Sequence, residues 1–445
     1  MNARGNRPVR RRDFPGWRMV WALSVTETVA YGVLFYSFAV FLVPMREALG
    51  ASTAQLSGAL TVALGISGIA AIAVGRWLDR HGPRRLMTGG SLLGAASVVA
   101  WSQARDLPQL YLAFAGIGLA GAAVLYEPAF ALINTWFRRD RHAALLTLTV
   151  VAGFASTIFL PTSQFLIDAV GWRSALLVLA GTLAACAVPQ ALLLRRAPAD
   201  LGLHPDGRSE APATGPVALP GENLTGLADL GSAWRRPAVR WLTLAAAFEM
   251  AATTAVAVHL VAYLRENGAA AGTAAAAAGA LGILSVAGRV VLTTAASRVG
   301  IGRLSAVLVT GQAVGVAWLF LLPQPAGTVV FVLLFGAGFG VMSIARPALL
   351  GSYVPPAVFG SVSGGQALAS QAGRVVAPVA AGALISSAGY GVAFGAVAAC
   401  TLAAAGLLLA AERADRRTTV RPEGPPGALP PGGARRRSPR VSRPR

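Results

Sequence analysis

The chain has 445 residues, of which 55% are hydrophobic and 13% charged, with a mean hydropathy of +0.60. Soluble domains carry about 25% charged residues, so this composition excludes an ordinary soluble enzyme and puts most of the chain in lipid. The net charge of +20 is carried by arginine without any lysine, and its distribution excludes a nucleic-acid-binding groove: 31 of the 38 arginines lie in the tails and alternate loops, four in the opposite loops and three inside apolar spans.

A bilayer core takes about 20 apolar residues per helical crossing. Twelve stretches predict such helices, at residues 17–43, 55–75, 86–103, 108–136, 142–168, 172–194, 238–264, 271–296, 303–322, 326–351, 359–387 and 389–411. Residues 1–16 form a basic tail. The apolar run that follows is too long for the core of a signal peptide and is read as a retained first span. Between spans 2 and 3, Gly75-Arg76-Trp77-Leu78-Asp79-Arg80-His81-Gly82-Pro83-Arg84-Arg85 reads as a tight, arginine-rich loop, which marks the cytoplasmic side. Residues 195–237 are rich in proline, glycine and charge and read as a cytoplasmic linker between a first half, 17–194, and a second half, 238–411. Residues 412–445, with Arg435, Arg436 and Arg437, have a composition that cannot bury a core and are expected to be disordered. Attraction to anionic lipid is the simplest role for such basic tails. An even number of spans places both tails on the cytoplasmic side of the plasma membrane.

The two halves read as repeats. Span 4 carries Gly116 and Gly118 and then Glu127-Pro128-Ala129, while span 10 carries Gly336 and Gly338 and then Arg346-Pro347-Ala348. Pro161 followed by Gly171-Trp172 in spans 5 and 6 is echoed by Pro378 followed by Gly389-Tyr390 in spans 11 and 12. After span 8, residues 297–303 echo the first loop with Ser297 in place of its acid. The predicted fold class is therefore an all-α membrane protein of twelve transmembrane helices in two pseudo-symmetric six-helix bundles, a transporter architecture.

On these residues the chain resembles the major facilitator superfamily. The 75–85 loop is similar to that family's hallmark Gly-x-Leu-x-Asp-Arg-x-Gly-Arg-Arg, with Trp77 replacing the usual leucine and Pro83 interposed. The resemblance implies that Asp79, helped by Arg80, caps a helix of the other half and holds one gate state. Carboxylates at helix N-termini are stabilised by free amides and the dipole. Trp136-Phe137-Arg138-Arg139, Gly171-Trp172-Arg173 and Pro198-x-Asp200-Leu201-Gly202-Leu203 are similar to the monocarboxylate and oxalate/formate transporter branch.

The ionisable residues inside spans are Glu27 in span 1, Glu127 in span 4, Glu249 in span 7, Arg289 in span 8, Arg346 in span 10 and Arg374 in span 11. Each costs roughly 2.5–3.5 kcal/mol at mid-membrane, so each must face water, substrate or another charge. Glu27 sits about 15 Å into span 1, on a stripe with Ser24 and Tyr31, and Glu249 holds the corresponding depth in span 7. A carboxyl group removed from water exchanges its proton near neutral pH, which suits both acids to proton coupling; a structural acid bonded to neighbouring hydroxyls is the alternative. Glu127 and Arg346 occupy equivalent positions with opposite sign, as a cross-half gate pair or as caps beside Pro128 and Pro347. Arg289, on a stripe with Ser285 and Thr293, and Arg374, on a stripe with Ser363, Gln366 and Ser370, carry guanidinium forks suited to a carboxylate. The resemblance implies that basic residues of spans 8 and 11 hold the substrate's carboxylates. Tyr31 and Gln366 are further substrate-contact candidates.

The sequence contains no metal-spaced His/Cys cluster, nucleotide loop or nucleophile–base constellation, so no cofactor, metal or enzymatic reaction is expected. The reading is a monomeric secondary active transporter working by alternating access, proton-coupled (in the form of a symporter) and carrying a small organic anion such as a monocarboxylate. An exporter of a hydrophobic drug or metabolite, and a non-transporting membrane sensor, are the alternatives.

Overall fold

The computed structural model describes residues 14–207 and 231–419, and every regular element among them is helical. The basic residues of the N-terminal tail before Phe14, linker residues 208–230 and the C-terminal stretch from 420 with its triple arginine lie outside the described residues, as do the side chains of Asp79, Thr293 and Ser297.

Ten stretches are long and apolar enough to cross a membrane. One of them, Val362–Arg416, has 55 residues. As one straight helix it would run about 80 Å against a hydrocarbon core of about 30 Å. It turns back at Gly389, where φ is 83°, and so supplies spans 11 and 12. The less hydrophobic helix Pro83–Gln103 packs against the helices before and after it in the first half and completes twelve spans among the described residues.

The turns reveal the repeat. Span 2, Thr53–His81, and span 3 are separated only by Gly82 at φ 76°. Span 8, Ala271–Val299, and span 9, Ile301–Leu321, are separated only by Gly300 at φ 91°. Gly171 and Gly389 do the same between spans 5 and 6 and spans 11 and 12, at φ 77° and 83°. A side chain would strain each of these left-handed turns. The arginine-rich stretch expected as a loop is thus mostly helix. Span 2 remains helical through Arg80 and His81, and one glycine makes the reversal, because a single left-handed residue followed by a proline suffices to restart a helix.

Spans 4 and 10 are broken at matching places. Span 4 consists of Leu107–Val124 and Tyr126–Trp136, interrupted by extended Leu125. Span 10 consists of Ala326–Gly338 and Met342–Tyr353, interrupted at Phe339 and at Gly340 with φ 85°. Span 1, Pro15–Leu49, contains a π-helical turn at Gly32–Tyr36. The Ser37 hydroxyl donates to the Gly32 carbonyl at 2.8 Å and meets Ser163 Oγ of span 5 at 3.0 Å, fastening that wide turn. Predicted span ends move outward: span 1 reaches Leu49 and span 12 continues to Thr419, because amphipathic ends stay helical beyond the apolar core.

Among the described residues, the apolar packing between the two halves lies from mid-depth toward one face. We call the face carrying the chain ends the tail face and the opposite one the far face. Toward the far face the buried clusters are mixed: Val258 and Ala262 of span 7 join a first-half core, and Ala39, Val40 and Leu160 join a second-half core. The backbones approach closely there through small residues, as membrane helices do. Gly382 lies over Ala54, and the Thr157 hydroxyl donates to the Gly279 carbonyl at 2.7 Å. At the rim, Arg46 Nη1 pairs with Glu266 Oε1 across the halves at 2.6 Å. Toward the tail face, the described buried clusters each draw on a single half. Phe14, Trp136 and Phe137 anchor one, and Leu242, Leu350 and Leu408 belong to the other. The halves therefore part on the tail face and leave a cleft between them.

The described part of the linker is strapped to the first half. Trp136 Nε1 donates to the Arg195 carbonyl at 3.2 Å, and the Asp206 carboxylate accepts the backbone amides of Arg138, Arg139 and Asp140 at 3.2, 2.9 and 3.3 Å.

Candidate functional site

The broken and π-helical segments bring aromatic and charged side chains together where the halves meet. From span 1, Tyr31 precedes the π turn and Phe35 and Tyr36 belong to it. From span 4, Tyr126 opens the second segment, and its ring packs 4.7 Å from Tyr31 and stacks 5.1 Å from Phe130. From span 11, the Arg374 guanidinium lies 4.7 Å from the Phe35 ring centroid and 5.9 Å from that of Tyr31, beside the Tyr31 hydroxyl. This is a contact between opposite halves at mid-depth. From span 8, Arg289 reaches across the span 10 break. A side chain at Gly340 would meet the Arg289 Nη2 at 2.7 Å. Arg289 and Arg374 both act electrostatically on Tyr36, and Arg289 also acts on Tyr126. Both arginines are thus close enough to Tyr36 to act on it.

Glu27 is fully buried on the same face of span 1, one turn from Tyr31. Neither of its carboxyl oxygens has a hydrogen-bond partner. Its charged neighbour is Glu127, which itself stands exposed in the first turn of the second span 4 segment. Glu127 acts on Arg346 through space. Both stand just past the breaks of their spans, at the cleft.

Other candidates lie elsewhere. Glu249 is 3% exposed and turned toward Gln312 of span 9 and Cys400 of span 12, within the second half. Gln366 is completely buried, one turn from Val362 of the tail-face core, so it does not share the cluster around Arg374. Arg80 is exposed on the tail-face end of span 2. His259 is buried and holds the Pro378 carbonyl at 3.1 Å through Nε2. Sequence reasoning passed over Phe35, Tyr36, Gln312 and the Arg46–Glu266 pair. Gln312 alone left a signal, as a lone amide in the apolar run of span 9.

Two six-helix bundles joined at one face, with broken helices and buried charges at their interface, define a transporter architecture. The Major Facilitator Superfamily profile matches residues 26–378, and the chain belongs to that family. Among characterised relatives, bovine (Bos taurus) monocarboxylate transporter 13 is 29% identical over 254 residues, which cover 57% of this chain and 55% of that protein. Mouse (Mus musculus) monocarboxylate transporter 1 is 27% identical over 182 residues, covering 40% of this chain and 36% of that protein. The matches therefore span about half or less of those relatives' length. Among solved structures, a bacterial homologue of the human lysosomal transporter Spinster, in an inward-facing and unoccupied conformation, superposes with a TM-score of 0.67 at 16% identity, covering 93% of this chain and 99% of that one. A D-xylose–proton symporter superposes with a TM-score of 0.67 at 14% identity over 87% of this chain and 97% of that one. At such identities these two likenesses speak for the fold.

Proposed function

We propose that this protein is a secondary active transporter that moves a small organic anion, of the monocarboxylate class, across the plasma membrane by alternating access with proton coupling. The observation that carries the reading is the Arg374 guanidinium held over Phe35 and beside Tyr31, with Arg289 near Tyr36 and Tyr126 of the same cluster. Each guanidinium presents a planar fork that fits a carboxylate. Phe35 holds the cation in place whether or not an anion is bound, so Arg374 is positioned for a carboxylate without a permanent acid that a substrate would have to displace. The similarity to monocarboxylate transporters supports the same substrate class. The arginine bias of the tails supports a cytoplasmic tail face, so the cleft is an inward-open state and the far face is the closed outer gate.

Glu27 is read as the coupling acid of the cleft. It lies one turn from Tyr31, next to the anion site, without a compensating cation. A proton there lets an anion approach without like-charge repulsion from Glu27. The gate roles of Asp79, Arg80, Glu127 and Arg346 belong to the alternate state, in which the tail face closes and brings Glu127 and Arg346 together. The basic tails are read as resting on anionic lipid, and the protein as functioning as a monomer.

Counterflow in proteoliposomes tests the reading. Lactate, pyruvate or oxalate exchange by the wild type, lost in Arg374→Gln, supports it. Absence of exchange for all three acids, with uptake of a lipophilic drug instead, sinks the anion class. For coupling, an imposed pH gradient is expected to drive accumulation in the wild type but not in Glu27→Gln, while exchange without a gradient survives; unchanged gradient-driven uptake in that variant removes Glu27 from the role.

A further inference from the structure

The guanidiniums and the aromatic rings of the candidate site come from opposite halves. Arg289 and Arg374 belong to spans 8 and 11 of the second half. Tyr31, Phe35 and Tyr36 belong to span 1, and Tyr126 and Phe130 to the second segment of span 4, all in the first half. Phe35 is buried, whereas Tyr31, Tyr36, Tyr126 and Phe130 are each partly exposed.

Three of the exposed rings form a row. Extended Leu125 ends the first segment of span 4 and makes Tyr126 the first residue of the next one. The Tyr126 ring meets Tyr31 of span 1 at 4.7 Å between centroids, with the planes inclined by 43°. Phe130 follows one helical turn later and stacks on Tyr126 at 5.1 Å, with the planes inclined by 8°. Span 4 ends at Trp136 in the tail-face core, so Phe130 lies on the tail-face side of Tyr126. Arg374 stands at the other, mid-depth end of the row, 5.9 Å from the Tyr31 ring. The cleft thus offers a cation at its inner end and flat aromatic surface leading out from it.

We propose that the transported acid is an aryl-substituted monocarboxylate, with its carboxylate on Arg374 and its ring against the Tyr31–Tyr126–Phe130 row. The inference rests on the anion reading above and narrows it. A short aliphatic acid would use the guanidinium fork and leave the rings facing water. An apolar drug would cover the rings and leave the fork without an anion. An aryl acid uses both, and so bridges the half that supplies the charge and the half that supplies the rings. Aromatic pairs favour offset-stacked and tilted arrangements, and the row presents ring planes at both kinds of inclination. Glu127 stands exposed beside Tyr126, an acid at the ring end of the row, which opposes a second carboxylate there.

Isothermal titration of the full chain in nanodiscs with lactate, phenyllactate and cyclohexyllactate tests the inference. The three acids share one hydroxy-carboxylate head and differ in the body attached to it. Phenyllactate is expected to bind about tenfold tighter than lactate, as two aromatic contacts provide. It is also expected to bind more tightly than cyclohexyllactate, which has the apolar area without the flat face. Tyr126→Leu and Phe130→Leu each keep apolar bulk and remove a ring, and each should lower the ratio of phenyllactate to lactate affinity by about two- to tenfold. Lactate binding as tightly as phenyllactate, cyclohexyllactate matching phenyllactate, or an affinity ratio unchanged in both variants overturns the proposal. The wild-type series decides without any variant having to fold. Arg374→Gln separates the two readings. If neither lactate nor phenyllactate binds the wild type, or both bind Arg374→Gln as tightly as the wild type, the carboxylate reading falls and the inference with it. If lactate binds at least as tightly as phenyllactate and its binding is lost in Arg374→Gln, the aryl inference alone falls.

Discussion

Gly382 is the residue whose substitution tests the far-face closure most directly. It sits where span 11 crosses span 2, and a Cβ there stands 3.0 Å from Ala54 Cα, 3.1 Å from the Thr53 carbonyl oxygen and 3.1 Å from Ser57 Oγ. Two of these atoms are backbone in the first turn of a helix fixed by its own capping box. Ser52 Oγ accepts the Gln55 amide at 3.2 Å, and Gln55 Oε1 accepts the Ser52 amide at 2.9 Å. They cannot rotate away as a side chain would, so Gly382→Ala separates spans 2 and 11 by a few tenths of an ångström. Overpacking of this kind costs about 1–3 kcal/mol. The penalty falls on the state in which the halves meet at the far face and not on the state in which they part there. The ratio of closed to open far face should fall by about fivefold to a hundredfold, at about 1.4 kcal/mol per tenfold. Pulsed dipolar distances between nitroxide labels at positions 105 and 324, exposed far-face loops of opposite halves, measure that ratio in the full chain with Cys186→Ala and Cys400→Ala. Gly391→Ala, with nothing within 4 Å of its added Cβ, is the control and should leave the distribution unchanged. A closed population in Gly382→Ala equal to or above the wild type would refute the claim that the spans 2–11 crossing holds this face shut.

The remaining predictions are smaller in scope. The Arg46–Glu266 pair is half-exposed, with side chains 36% and 38% accessible, so Arg46→Gln should shift the same ratio by about 0.3–1 kcal/mol, an effect that molar salt removes; the charge-reversed double variant should recover the wild-type ratio, and a shift insensitive to salt argues against an ionic origin. Phe35→Leu removes the ring under Arg374 and should weaken carboxylate binding by about 0.5–2 kcal/mol, or about two- to thirtyfold, read as the half-saturation of counterflow; unchanged half-saturation would separate the ring from the site. Asp206→Ala strips a carboxylate from three backbone amides and should lower stability by about 1–3 kcal/mol, seen as a lower thermal midpoint in detergent, while Asp200→Ala serves as a milder comparison.

The parts of this fold legible in the sequence are those set by local chemistry. Single glycines between apolar runs mark Gly82, Gly171, Gly300 and Gly389 as reversals because no other residue accepts that backbone cheaply. Glu127-Pro128 stands close after the span 4 break at Leu125, but the break expected beside Pro347 is not there: Pro347 lies inside the helix Met342–Tyr353, and span 10 breaks at Phe339 and Gly340, where a glycine accepts a backbone that other residues do not. The π turn at Gly32–Tyr36 left no such mark, since it depends on Ser37 and Ser163 meeting across spans. Nor did Phe35 as the partner of Arg374, a contact made by two halves far apart in sequence.

Rotation about the helix axis was the property least available from sequence, and the two acids show why. Glu27 and Glu249 hold matching depths in repeat-related spans, and depth is a matter of counting residues. Which way each points depends on which side of its helix meets the partner bundle. Span 1 has bulky landmarks, with Tyr31, Phe35 and Tyr36 turned to one side. Around Glu249 span 7 reads Ala245-Ala246-Ala247-Phe248-Glu249-Met250-Ala251-Ala252, where small residues suit a close approach on any face. Gly373 of span 11 takes up one of those faces, against the Ala247 backbone, and Gln312 takes another. Pseudo-symmetry thus preserves the level of the two acids but not their outlook. One lies beside the candidate anion site, while the other lies behind it, beside Gln312 of span 9. Gradient-driven counterflow in Glu249→Gln set beside Glu27→Gln tells the two acids apart: coupling lost in Glu27→Gln and kept in Glu249→Gln supports the acid beside the anion site, and the reverse outcome moves the role to Glu249.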